Sequence, residues 1–248
     1  TAGVRADGSW VRIYPVPFRR LGEEQQYKKF DWLECRLLRN AKDQRPETYR
    51  AADFAELVPV AHMGTKDDWR ERRKLLLSKA RVYTNLKELI AGAKANAISL
   101  AVFRPTRVID FISEDEDRDW DPEKLRAMRD QSNQRELYAE DTWRETFKVI
   151  PKLPFGFSYR FEDDEGTRSE LKVLDWEAGA LYWNCLRDAN GDGTLARAKV
   201  RQKYFDEFAT KDLHFFVGTT ERWHSVAPNP WVIVGVFPIP RQTQLGLL

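Results

Sequence analysis

Cationic and aromatic side chains alternate where the chain first reads as extended. In Ser9-Trp10-Val11-Arg12-Ile13-Tyr14, a period of two puts Trp10, Arg12 and Tyr14 on one face and Val11 and Ile13 on the other. Phe18, Arg19 and Arg20 follow, then Tyr27, Lys28 and Lys29. Trp69-Arg70-Glu71-Arg72-Arg73-Lys74 offers a second cationic surface, and Arg197, Arg201 and Lys203 a third. Guanidinium and ammonium groups seek phosphates while neighbouring rings stack on bases, which is how many small β-domains hold unpaired or flipped nucleotides. On this reading Arg12, Arg19, Arg20, Arg70 and Arg73 hold phosphates, and Trp10 or Tyr14 stacks on a base. The competing reading is plain: Trp10 and Tyr14 fill a core, and the arginines are solvated.

A second chemistry is outlined by Glu170-Leu171-Lys172 after the acidic turn Asp163-Asp164-Glu165. A metal-dependent nuclease needs two carboxylates converging on magnesium and a lysine near the attacking water. Alternation puts Glu170 and Lys172 on one face, with Asp163 or Asp164 as the second carboxylate. The bland alternative is an exposed strand of alternating charge. Asp188-Ala189-Asn190-Gly191-Asp192-Gly193 imitates the start of a calcium loop, but its twelfth position is Lys199, where a bidentate carboxylate belongs. A polar turn between helices is expected there instead. His62, His214 and His224 have no acid or cysteine at metal-ligand spacing, and neither a phosphate-binding loop nor a nucleophile elbow is present. No cofactor or metal is expected, apart from magnesium under the nuclease alternative.

Composition narrows the setting. Thirty-one aromatic residues (nine Trp, fourteen Phe, eight Tyr) within 42% hydrophobic content argue for a packed core despite 32% charged residues. Cys35 and Cys185 sit among apolar neighbours, too few and too far apart for a disulfide framework, so buried thiols are expected. No apolar run is long enough to span a bilayer and no signal peptide is visible, so the cytoplasm is the expected location and no membrane partner is expected. The chain opens on Thr1-Ala2-Gly3 without a methionine, and a native segment is expected ahead of it. Net charge is only +2, but residues 110–123 carry eight acids and one Arg, against a local excess of four cations in residues 60–82. Such segregation favours separate charged surfaces, for nucleic acid or for partner proteins in a larger assembly.

These side chains have to be placed by a mixture of elements. Asp7-Gly8 signals a hairpin before the strand at 9–14, and a second strand is expected over 31–38. Arg45-Pro46-Glu47 reads as an extended connection. Helices are expected from Thr65 as cap, over 85–96, from Pro122 to about Glu136, from Asp175 through Leu186, and from Thr194 through Phe208. Ile98–Arg104 reads as a buried strand that Val108–Ile112 continues beyond a bend. A hairpin spans 157–174, and strands at 213–217 and 231–237 close the chain. The order lacks regular βαβ alternation, which predicts an α+β fold of mostly antiparallel sheets, with a small curved N-terminal barrel as one form of it. Pro151 and Pro154 mark the boundary between an N-terminal region, 1–150, and a C-terminal region, 151–248, or a bend inside a single domain.

The segments Trp10–Arg19, Arg45-Pro46-Glu47, Asp175-Trp176-Glu177 and Asp212–Thr219 together resemble a family of uncharacterised bacterial and archaeal proteins, over most of the chain. The resemblance implies one more strand before Thr1 and carries no activity or site residue. At the level of fold, an edge-rich β module with aromatics is similar to PUA-like base-reading domains.

Overall fold

The computed structural model describes residues 1–16, 26–54, 56–117, 119, 121–123, 126 and 152–241. Arg19, Arg20, most of the helix expected over 122–136 and the start of the Pro151 segment lie outside the described residues. The chain divides into two compact units, 1–112 with 158–248, and 113–157. Within the smaller unit the Glu116 amide donates to the Pro154 carbonyl (2.9 Å) and Lys152 lies 3.8 Å from the Glu116 carboxylate.

The fold is α+β, with three sheets, mostly antiparallel. Strands β1 (Ala2–Val4) and β2 (Trp10–Ile13) pair across the Asp7-Gly8 turn, as the sequence predicts. Gly8 has φ +92°, and a Cβ there would lie 2.5 Å from the Lys79 carbonyl, so only glycine fits. The expected strand over 31–38 is two strands in different sheets. β3 (Asp31–Glu34) pairs with β6 (Val58–His62) in a two-stranded sheet. β4 (Leu37–Arg39) pairs with β5 (Thr48–Ala51), giving the four-stranded order β1-β2-β5-β4. This sheet ends on β1 and β4, and the described strands close no barrel.

The large sheet is seven-stranded. Its order is β7 (Val82–Tyr83), β8 (Leu100–Phe103), β12 (Asp212–Thr219), β13 (Trp231–Ile239), β11 (Arg168–Val173), β10 (Phe155–Glu162) and β9 (Arg107–Asp115). Val108–Ile112 therefore does not continue the strand before it. Pro105 ends β8, and β9 takes the opposite edge of the sheet. The central strands bury nearly every residue, as near-continuous apolar runs should. Tyr159, Phe161 and Phe215 form one aromatic layer with Phe103, Phe111 and Tyr204.

Helices start where side chains can satisfy their first amides. α2 (Leu86–Lys94) is capped by Asn85, whose Oδ1 accepts from the amides of Lys87 and Glu88. α3 (Trp176–Asp188) is capped by Asp175. α4 (Gly193–Arg201) is capped by Asp192, which accepts from the amides of Thr194 and Leu195, so the cap lies two residues before the expected Thr194. α1 (Lys66–Arg73) departs furthest from expectation. Thr65 makes no cap, and Asp67, Asp68 and Trp69 have φ of 51–63°, a left-handed turn that costs about 1–2 kcal/mol per residue. Arg73 braces it, Nε donating to the Asp68 carbonyl (2.6 Å) and Nη2 to the carbonyl of Pro240. α1 and α4 each run on as a π-helical turn, Lys74–Lys79 and Gln202–Glu207.

Candidate binding cleft

The face of β2 does not present the surface that alternation suggests. Tyr14 is exposed, but Trp10 is half-buried against Phe216 (ring centroids 6.0 Å, edge-on) and Arg12 is buried. The Arg12 guanidinium donates to Thr48 Oγ1 (3.1 Å), Ser99 Oγ (2.7 Å) and the Ser99 carbonyl (3.0 Å). Burial, with Arg45 close by, brings its pKa down to about 10. Arg12 is thus taken up inside the protein instead of facing a phosphate.

Around it lies a buried network. Arg45 donates from Nε and Nη2 to Asp43 (2.6–3.2 Å), and from Nη1 to the Thr219 carbonyl. The Glu47 carboxylate accepts from the Ser99 amide (2.9 and 3.0 Å) and the Ser99 hydroxyl. His224 accepts from Thr219 Oγ1 at Nδ1 (2.8 Å) and donates from Nε2 to Asn96 Oδ1 (3.0 Å), which makes it the neutral Nε2–H tautomer. Burial and then Arg45 hold the His224 pKa below the ordinary imidazole value. Arg12, Arg45, Glu47 and Thr219, drawn from three segments of the resemblance, meet here. With every charge met by a near neighbour, this network is a joint and leaves no functional group open to a ligand.

The acidic turn is also internally engaged. Asp163 is fully buried, its Oδ1 accepting from the amides of Glu165 (3.1 Å) and Thr167 (2.9 Å). Asp164 accepts from Thr84 Oγ1 (2.6 Å) and Asn85 Nδ2 (3.0 Å), and Glu165 pairs with Lys87 (2.6 Å). The turn thereby docks on the start of α2. Glu170 pairs with Arg160 (2.9 Å). Among the described residues no three His, Cys, Asp or Glu side chains gather as metal ligands. Asp163, Asp164 and Glu165 thus hold the turn and its docking contact on α2, and Glu170 holds Arg160 on the neighbouring strand. Asp192, from the calcium-like loop, caps α4.

Rings and cations do come together at the C-terminal end of β13. A cleft of about 530 Å³ opens there between the 29–30 turn, α1, the π turn after α4 and the strand end. Phe30, Trp69 and Phe208 offer partly exposed rings over buried Tyr204 and Phe237, and Lys29, Lys203 and Lys211 offer cations beside the carboxylates of Glu177 and Glu207, while Arg72 is buried in the wall. The rings continue inward, Trp69 to Phe237 (5.5 Å), Phe237 stacked on Phe216 (5.5 Å), and Phe216 to Trp10. Arg72 lies over Phe30 (3.9 Å) and Trp69 (5.0 Å), and donates from Nε (2.9 Å) and Nη2 (2.6 Å) to the Met63 carbonyl. Lys29 bridges Glu177 (2.6 Å) and the Val236 carbonyl (3.2 Å), and Lys203 pairs with Glu207 (2.7 Å). These lysines hold their acids at partly exposed sites, where such pairs are worth about 0–1 kcal/mol and an anion competes easily.

Beneath the wall, Asp175 lies close to Lys29 and Tyr204. Burial raises its pKa against the pull of Lys29 and the Glu177 amide, and the Tyr204 hydroxyl approaches Oδ2 at 3.5 Å. Beside the cleft, Arg70, Arg73 and Lys74 line a shallower depression of about 500 Å³ with Asp67, Asp68 and Ser78. Arg70 is exposed and lies 3.5 Å from Asp67. Of the residues selected from sequence, then, the structure brings Lys29, Trp69, Arg72 and Lys203 into the lining of the cleft, places Arg70 and Arg73 in the neighbouring depression, and connects Trp10 to the ring stack. It does not bring in Arg12. Phe30, Tyr204, Phe208 and Lys211 were missed, although Tyr204 follows directly on Lys203 in the third cationic segment.

The fold and the cleft define an α+β protein whose N-terminal strands and α1 pack on one end of a large mixed sheet. The chain belongs to the family described as Domain of unknown function (DUF8757), whose model matches residues 82–248. Residues 1–78 match a second model, Domain of unknown function (DUF8758). No curated protein and no solved structure matches the chain. The cleft is lined from both matched stretches, Lys29, Phe30, Trp69 and Arg72 from one and the remaining residues from the other. No helix among the described residues is long and apolar enough to cross a membrane.

Proposed function

We propose that the protein is a nucleic-acid-binding module that holds an unpaired strand, with bases in the aromatic cleft and phosphates on Arg70, Arg73 and Lys74. The observation that carries this reading is the cleft wall itself, where the partly exposed rings of Phe30, Trp69 and Phe208 and the cations Lys29, Lys203 and Lys211 line one opening about 530 Å³ in volume. Ring faces accept any base, and cations at the rim track the backbone. The module carries no catalysis of its own and requires no cofactor. It acts in the cytoplasm, in keeping with free thiols at Cys35 and Cys185.

The test is fluorescence anisotropy of labelled single- and double-stranded DNA and RNA at two salt concentrations, with and without magnesium. Single strands should bind in preference, with affinity falling steeply as salt rises. Phe208→Ala should cost about 1–3 kcal/mol through lost stacking, and Lys211→Ala should lower the salt slope by about one. Salt-insensitive binding, or none, refutes the reading. Magnesium-dependent cleavage would favour the nuclease reading instead.

A further inference from the structure

His62, on β6, lies directly behind Arg72. Its Nδ1 is 2.6 Å from Asp31 Oδ1, and its Nε2 is 3.4 Å from Arg72 Nη2. A carboxylate this close fixes the tautomer: Nδ1–H donates to Asp31, and the Nε2 lone pair faces an Arg72 N–H. Asp31 also accepts from the Lys28 amide (2.6 Å). Although burial opposes it, this amide and the imidazole hold the Asp31 carboxyl below its usual range, so Asp31 stays ionised down to acid pH. The charged groups facing His62 are therefore Asp31 from β3 and Arg72 from α1, while Lys28, in the turn before β3, acts on Asp31.

We propose that His62 is a proton-operated positioning residue for Arg72, tightening the cleft's hold on an anionic ligand as pH falls. With His62 neutral, Nε2 accepts from Arg72 and helps keep the guanidinium between Phe30 and Trp69. With His62 protonated, two N–H donors and two positive charges face one another at 3.4 Å. The imidazolium then closes on Asp31, and Arg72 loses one of its inner acceptors. Nη2 swings away from the imidazolium toward the cleft while Nε keeps the Met63 carbonyl, and the cleft gains both a freer cation and a nearby positive charge. This inference rests on the cleft being the binding site proposed above, but its first step occurs in the unliganded protein.

The experiment pairs two readouts between pH 5.5 and 8. One is anisotropy of a labelled oligothymidylate at fixed salt, for wild type, His62→Gln and Asp31→Asn. The other is NMR of the ligand-free protein, following the His62 ring and the Arg72 Nε–H. Wild-type affinity should rise about fivefold as pH falls, the effect of one added charge near a partly exposed site. His62→Gln, which keeps an acceptor and removes the proton, should be flat, and Asp31→Asn should need lower pH for the same rise. The Arg72 signal should shift with the His62 titration in wild type. A pH response that survives in His62→Gln overturns the proposal, as does an Arg72 signal indifferent to His62 protonation. If the oligonucleotide binds at no pH, the nucleic-acid reading fails alone, and the Arg72 signal still decides the coupling.

Discussion

Arg45→Met should cost far more than an ordinary surface charge. Arg45 is 8% and Asp43 3% exposed, and the pair exchanges three contacts of 2.6–3.2 Å. Burial pushes the Asp43 pKa up, and hydrogen bonds from the Arg45 side chain and amide, together with the Arg12 charge, hold it down. Methionine roughly fills the space but leaves Asp43 with only the residue-45 amide (3.2 Å), and leaves the Thr219 carbonyl with only the longer Arg12 contact (3.5 Å) from the network. Breaking a buried pair from one side costs about 3–5 kcal/mol, a large share of the ~5–15 kcal/mol total of a folded domain. The double variant Asp43→Asn/Arg45→Met removes both charges and should recover at least about half of that loss, because the coupling between touching partners is lost only once. Urea unfolding followed by fluorescence gives both values, the midpoint falling with little change in slope. A cost below about 1 kcal/mol for Arg45→Met, or a double variant as unstable as the single one, would refute the network as a joint.

Further outcomes follow from the same contacts. The pKa values of His224 and His214 are held low, chiefly by burial, so in acid the unfolded chain binds protons that the folded chain refuses. Stability should therefore be full above about pH 6.5 and decline as pH falls below it. His224→Gln should flatten part of that decline in a pH series of thermal melts, and an unchanged slope would refute the assignment. Asp175→Asn keeps a cap for α3 while removing a buried charge, so its melting temperature at neutral pH should equal or exceed that of wild type. Asp175→Ala should lose about 1 kcal/mol, and an Asn variant weaker than Ala would contradict the burial argument. Gly8→Ala should cost at least about 2 kcal/mol, because its Cβ meets the Lys79 backbone at 2.5 Å as well as an unfavourable φ.

What the sequence disclosed follows from how local each feature is. Asn85 and Asp175 cap their helices because a short oxygen-bearing side chain before an apolar period satisfies amides two or three residues on. Thr194 misled because Asp192, two residues earlier, already caps the helix, accepting from the Thr194 and Leu195 amides, and lets Gly193 begin the turn. The apolar runs of β12 and β13 were legible as buried strands, and the α+β class followed from the order of elements. The split of 31–38 was hidden, because alternation reads across Cys35 and Arg36 without showing that the two halves pair with different partners. Arg12 looked like a surface cation because arginines usually are. Only Ser99 and Thr219, 87 and 207 residues away, show that its donors are spent inside. The cleft was illegible for the same reason, since its walls come from residues 29–30, 69–72, 203–211 and 236–240.

The distance between Arg12 and Thr219 also sets a clock. At about 5–20 residues per second of synthesis, β12 follows β2 out of the ribosome some ten to forty seconds later. During that interval Arg12 lacks Ser99 and then Thr219, while Met63, Leu75 and Leu76 wait for Phe237 and Ile239 to cover them. The N-terminal stretch therefore spends its first half-minute with an unfinished apolar surface and an unmatched guanidinium. Until the last strand arrives, that surface is open to aggregation.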